Sequence, residues 1–143
     1  MKGLKKNMKK KKVYISGKIS GLKRADYLAI FHKAEMLLAN EGYWVVNPCR
    51  FAPCKYMWLY KLIGYRLTIL YDLWRLSHCD LIYKIPGYKE SKGAMIEGCW
   101  AYHFKIWQLP LTTRIKIDKK MAKYITKRKE AKENDEQVLQ SVQ

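Results

Sequence analysis

Short apolar runs alternate along this chain with longer stretches whose apolar positions recur at helical spacing. Val13-Tyr14-Ile15-Ser16 is β-branched and aromatic and stops at Gly17, which predicts a first strand. From 25 to 42, Leu28, Phe31, Met36, Leu38 and Ala39 fall among polar residues, which predicts an amphipathic helix stopped by Asn40-Glu41-Gly42. Tyr43 to Val46 predicts a second strand, closed by Asn47-Pro48. Residues 56–78 predict a long apolar helix; Lys61, Arg66 and Asp72 interrupt it, which favours a buried or partner-facing helix over a membrane span. Leu81 to Ile85 is almost continuously apolar, as in a strand covered on both faces. Beyond Pro86-Gly87 a further helix is expected, opening at Ser91 and running to about Lys105, and then a fourth strand within 106–111.

The order β-α-β-α-β-α-β predicts an α/β fold: a three-layer α/β/α sandwich, Rossmann-like or flavodoxin-like, with a parallel sheet of four to five strands. Such sheets bind ligands beyond the C-terminal ends of their strands, where the loops 17–24, 47–55 and 86–92 would meet. The expected organisation is a basic N-terminal tail (1–11), one domain (12–113), and a basic to mixed-charge tail (114–143), peripheral, partly helical and partly disordered.

Charge changes this picture little. The net charge is +17 over 143 residues, and the first twelve residues hold seven lysines and no acid. Such an end is a solubilising tail or a weak, nonspecific attractor of nucleic acid. No zinc-finger spacing, RNA-recognition signature or heptad accompanies the lysines, so a dedicated nucleic-acid arm has no sequence support. The four cysteines, at 49, 54, 79 and 99, form no Cys-x-x-Cys pair, and no apolar run of signal length follows the first lysines. They read as free thiols in a reducing, cytoplasmic setting. Their spacing with histidine matches no common zinc pattern, and no metal or cofactor is expected. His32, His78 and His103 show no partner pattern and receive no role.

Glu97 carries the candidate chemistry. It sits in 91-SKGAMIEGCWAY-102 with no basic residue one turn away on either side. A capping box from Ser91 would need its acid at Ala94, so Glu97 is not part of a cap. Gly93, one turn earlier, leaves room above the carboxylate. Ser91 with Lys92 and Gly93 opens a helix whose free amides favour a phosphate or carboxylate, although a simple cap explains Ser91 as well. The first loop, Ser16-Gly17-Lys18-Ile19-Ser20-Gly21, is a weaker anion signal: it matches neither a P-loop nor G-x-G-x-x-G. Asp72 has Arg75 at helical spacing, so an ordinary ion pair competes with any catalytic role. Asp80, at a helix-to-strand turn, reads as structural.

Taken together, 12-KVYISGKISGL-22, 45-VVNP-48 and 79-CDLIYKIPGYKESKGAMIE-97 resemble a small bacterial and phage family of unknown function related to nucleoside 2-deoxyribosyltransferases and deoxynucleoside 5′-monophosphate N-glycosidases. The resemblance covers about residues 12–111. It implies cleavage of the N-glycosidic bond between deoxyribose and base, with Glu97 as nucleophile, Asp72 contacting or protonating the base, and Tyr14 orienting the nucleophile. It also implies that Ser91 and Gly93 seat a 5′-phosphate, that Ser16, Gly17, Ser20 and Gly21 form the sugar-phosphate side of the pocket, and that Asn47 binds substrate there too. Departures accompany the match. Lys18 stands where the family usually has proline, and Ser91 replaces the acid that the transferases carry six residues before the nucleophile. The aromatic-rich 50–66 segment has no counterpart. The related enzymes are oligomers, so a homo-oligomer is expected, with the aromatic helix around 56–74 as a possible interface. Three readings follow: an enzyme on a nucleoside or nucleotide N-glycosidic bond, a non-catalytic nucleotide-sensing module, or a nucleic-acid-binding protein driven by its lysines.

Overall fold

The computed structural model describes residues 9–19, 21–50, 62 and 64–143. Its sheet has four parallel strands: β1 (Lys12–Ser16), β2 (Trp44–Val46), β3 (Leu81–Lys84) and β4 (Trp107–Gln108), in the order β2-β1-β3-β4. Tyr14 pairs with Val46 on one side and Ile82 on the other, and Ser16 with Lys84. The chain leaves β1 toward β2 and returns to build β3 and β4 on the opposite side, so the order reverses between β1 and β3, the switch point at which open α/β sheets bind ligands.

Among the described residues four α-helices cover the sheet: α1 (Arg24–Asn40), α2 (Tyr65–Ser77), α3 (Lys92–His103) and α4 (Leu111–Ser141). Strand alternation sorts the core into two halves. Val13 and Ile15 of β1 and Leu81 and Tyr83 of β3 face α1 and α4, packing with Phe31, Ala34, Leu38, Ile117 and Met121. Tyr14 and Ile82 face the other way, toward Leu73 and Leu76 of α2 and Ala101 of α3. This is the expected α/β/α sandwich.

Several elements differ from the sequence expectation. On α1 the buried stripe is Tyr27, Phe31, Ala34 and Leu38, at helical spacing, whereas Met36 and Ala39 are exposed. Of the helix expected over 56–78, α2 is the described part; it begins at Tyr65 behind Gly64, which caps it with φ 84°, and residues 51–61 and 63 lie outside the described residues. β4 has shrunk to two residues ahead of Pro110. Beyond 113 there is a single helix rather than a partly disordered tail. Ile117 and Met121 enter the core, while Arg128 and Lys132 both donate to the Asp26 carboxylate in the first turn of α1. Tyr83 of β3 donates to Asp118 at 2.7 Å and fixes the same helix from the sheet side.

α1 and α3 end in the same motif. The Tyr43 and Gly42 amides bond to the Leu38 and Ala39 carbonyls at 3.3 and 3.0 Å; those of Ile106 and Lys105 bond to Ala101 and Tyr102 at 2.8 and 3.2 Å. Both require a left-handed residue after the cap. α1 uses Gly42 with φ 90°, and α3 uses Lys105 with φ 55°, alone among the described non-glycine residues in having positive φ.

Candidate active site

β1 supplies two hydroxyls to the face covered by α2 and α3. Residues two apart on a strand share a face, so Tyr14 and Ser16 both point there. α3 lies across that face and brings Glu97 down between them. Tyr14 Oη donates to Glu97 Oε1 at 2.7 Å, and Ser16 Oγ donates to Oε2 at 2.6 Å. Each carboxylate oxygen thus accepts one short, charge-assisted bond. Tyr14 and Ser16 are fully buried and Glu97 is 6% exposed. The carboxylate with no partner on its own helix finds both partners on a strand 81 and 83 residues earlier.

Burial pushes the Glu97 carboxyl up to about 7, against the Ser16 and Tyr14 hydroxyls, which favour the anion. Burial, and then the neighbouring Glu97 and Asp72 charges, hold the Tyr14 phenol well above its ordinary range, so Tyr14 stays a neutral donor. Asp72, buried on α2, is near enough for its charge to act on Tyr14. Tyr14, Asp72 and Glu97, which the sequence suggested as one catalytic set, therefore share one side of the sheet. A buried carboxyl close to half-ionised at neutral pH is suited to nucleophilic or proton-transfer chemistry.

The remaining suggested residues are less uniform. Ser91 is buried and caps α3, its Oγ accepting the Ala94 amide at 3.3 Å; its hydroxyl proton is left for a second partner. Gly93 lies in the same first turn, on the Glu97 side of the helix. Gly17 is shaped by packing: a Cβ there would come within 3.0 Å of Ile85 Cδ1 and 3.2 Å of Phe31 Cζ. Gly21 turns the loop with φ 78° in open space. Asn47 is occupied by the protein at both ends of its amide, donating to Glu35 at 3.0 Å and accepting the Cys49 amide at 3.0 Å. Ser20 lies outside the described residues.

Sequence reasoning assigned Ser16 to the sugar-phosphate side and missed its bond to Glu97. The signal was available: Ser16 is two residues from Tyr14, so any carboxylate reaching one hydroxyl meets both. Lys18, in the first loop, pairs with Glu90 at 2.9 Å and ties the loops after β1 and β3 together. Asp80 accepts the Lys12 amide at 2.8 Å, a structural role. Among the described residues no cluster of His, Cys, Asp and Glu could hold a metal ion, and no helix is long and apolar enough to cross a membrane. Cys79 and Cys99 are free thiols; burial pushes Cys79 up to about 11, which leaves it protonated and unreactive, Cys49 is buried, and Cys54 lies outside the described residues.

Neither a curated protein nor a solved structure matches the chain. Residues 11–107, a span that takes in β1, β2 and β3, the first residue of β4, and Tyr14, Ser16, Asp72 and Glu97, match the family described as domain of unknown function (DUF4406), and the chain belongs to that family.

Proposed function

We propose that the protein cleaves the N-glycosidic bond of a 2′-deoxynucleoside or its 5′-monophosphate, with Glu97 as nucleophile. The observation that carries this reading is the carboxylate held by Tyr14 and Ser16 beside the C-terminal end of β1. Two donors fix both oxygens, so the carboxylate is oriented before any substrate arrives, which lowers the entropic part of the barrier. In the proposed reaction a Glu97 oxygen attacks the anomeric carbon as the bond to the base breaks. The electron pair of that bond leaves with the base, and Asp72 supplies its proton. Water or a second base then displaces the carboxylate from the glycosyl-enzyme, so overall configuration is retained. The Ser91 hydroxyl and the first-turn amides of α3 would seat the 5′-phosphate.

The test is incubation with deoxynucleosides and their monophosphates, with released base scored by chromatography. Turnover of at least one substrate that Glu97→Gln abolishes, with the fold retained, supports the reading; equal turnover by parent and variant refutes the nucleophile. Nucleotide-dependent thermal stabilisation without any product would favour the sensing module instead. We place the protein in the cytoplasm, in keeping with its free thiols. We also infer self-association through α2, whose Leu67, Leu70 and Trp74 form an exposed apolar stripe at helical spacing.

A further inference from the structure

A groove of about 850 Å³ lies beside α3, between the last turns of that helix, β4 and the start of α4. Ile82, Ala101 and Ile106 form an apolar floor, and no carboxylate lines it. Its rim carries Lys84, Lys105 and Arg114 together with two large exposed rings, Tyr102 at 86% and Trp107 at 69%. Arg114 is oriented by a bond to Gln108, and the Lys84 ammonium lies 3.0 Å from where a Gly98 Cβ would stand, 5.1 Å from the Tyr88 ring centre. A larger residue at 98 would displace Lys84 from the groove.

Lys105 makes the arrangement informative. Its left-handed backbone is disfavoured for any residue with a Cβ, and α1 solves the same turn with Gly42. α3 instead keeps a lysine and puts its charge on the groove. Backbone strain retained where glycine would relieve it marks a position held for its side chain.

We propose that this groove binds single-stranded nucleic acid, with Lys84, Lys105 and Arg114 on successive phosphates and bases stacked on Trp107 and Tyr102. Cations alternating with exposed aromatic faces suit a strand whose bases are free to stack, and a duplex offers no such faces at a groove of this size. The site is distinct from the lysine-rich N-terminal tail and from the Glu97 carboxylate.

The experiment uses the full chain and a fluorescently labelled ten-residue oligothymidylate, read by anisotropy across a salt series, beside a duplex of equal length. Three phosphate contacts predict a groove contribution of about −2 to the slope of log affinity against log salt. Lys105→Gly is expected to raise the melting temperature by about 3–5 °C, since it relieves the strained turn, while making the slope shallower by about 0.7. Trp107→Leu is expected to weaken binding about tenfold or more with little change in slope. Lys105→Gly with a raised melting temperature but unchanged affinity and slope would overturn the proposal. So would tighter binding of the duplex, or binding that deletion of residues 1–11 abolishes while the groove variants bind as the parent does.

Discussion

Replacing Glu97 by glutamine should make the protein more stable, and by an amount that depends on pH. The carboxyl titrates near 4.5 when exposed and at about 7 in the folded chain, with burial as the leading cause. Between these values the folded state holds a proton that the unfolded chain has released, so stability falls as pH rises through this window. At about 1.4 kcal/mol per pH unit, the interval corresponds to roughly 3 kcal/mol lost by pH 8. Glutamine resembles the protonated acid in shape and charge: its oxygen accepts from Tyr14, and the Ser16 hydroxyl can turn to accept from one of its two amide N–H groups. The variant should therefore exceed the parent by less than about 1 kcal/mol at pH 5 and by about 3 kcal/mol at pH 8. Urea unfolding at both pH values, followed by circular dichroism, measures the difference directly. A gap that is the same at the two pH values, or a variant less stable than the parent at pH 8, would refute a destabilising buried carboxylate. The same ionisation bears on activity. If Glu97 attacks as the anion, kcat/KM should rise about tenfold between pH 6 and pH 8, as the ionised fraction grows around a midpoint near 7.

Three further outcomes are expected. Tyr14→Phe and Ser16→Ala each remove a donor that favours the Glu97 anion, so either should move the midpoint of its titration upward by about one pH unit, measured by carbon NMR of labelled glutamate; a midpoint at or below the parent's would show that these bonds do not hold the anion. Gly17→Ala should destabilise by about 1–3 kcal/mol in urea unfolding, because its Cβ meets Ile85 and Phe31 in the packed core; a neutral result would mean that the loop after β1 yields without cost. Asp26→Asn should loosen α4 from α1 and speed amide exchange along α4 with little change in the sheet. The bonds from Lys132 and then Arg128 hold the Asp26 carboxyl below its ordinary 3.8, so this clamp is present above that pH and is lost as pH falls below it; unchanged exchange in α4 would remove Asp26 from that role.

The fold was legible in proportion to how locally each element is determined. β1 and β3 announce themselves because strands covered on both faces must be apolar at nearly every position, as in Val13 to Ile15 and Leu81 to Tyr83. For α4 the basic to mixed-charge sequence predicts only a peripheral tail, partly helical and partly disordered. Only Ile117 and Met121 of α4 are buried, with Ile125 packed beside them, so the apolar stripe is short and the second half of the helix is almost wholly polar. What anchors α4 is Asp26, more than a hundred positions earlier, and no window along the chain contains both partners. On α1, Met36 and Ala39 are apolar but exposed, because the face toward the sheet was already set by Tyr27, Phe31, Ala34 and Leu38.

The site shows the same division, and it bears on what the chain preserves. Glu97 could be singled out because its helix offered it nothing; its partners could not, because they belong to a strand brought alongside only by the sheet. On one face of β1 the chain places Val13 and Ile15, which bury without penalty. On the other, at equally buried positions, it places two hydroxyls against an acid. Leucine or methionine in place of Glu97, with valine or phenylalanine opposite, would fill the space without holding a carboxylate away from water. The hydroxyls recover part of that cost by bonding the anion, yet the carboxyl still titrates near neutrality. The same economy is broken at Lys105, where glycine would relax the turn. The two exceptions lie on α3 and just beyond its end: one holds a buried carboxylate beside the sheet's switch point, the other a cation at an open groove. α3 is therefore the element whose residues stability alone explains least, and the one where substitutions should separate function from folding most cleanly.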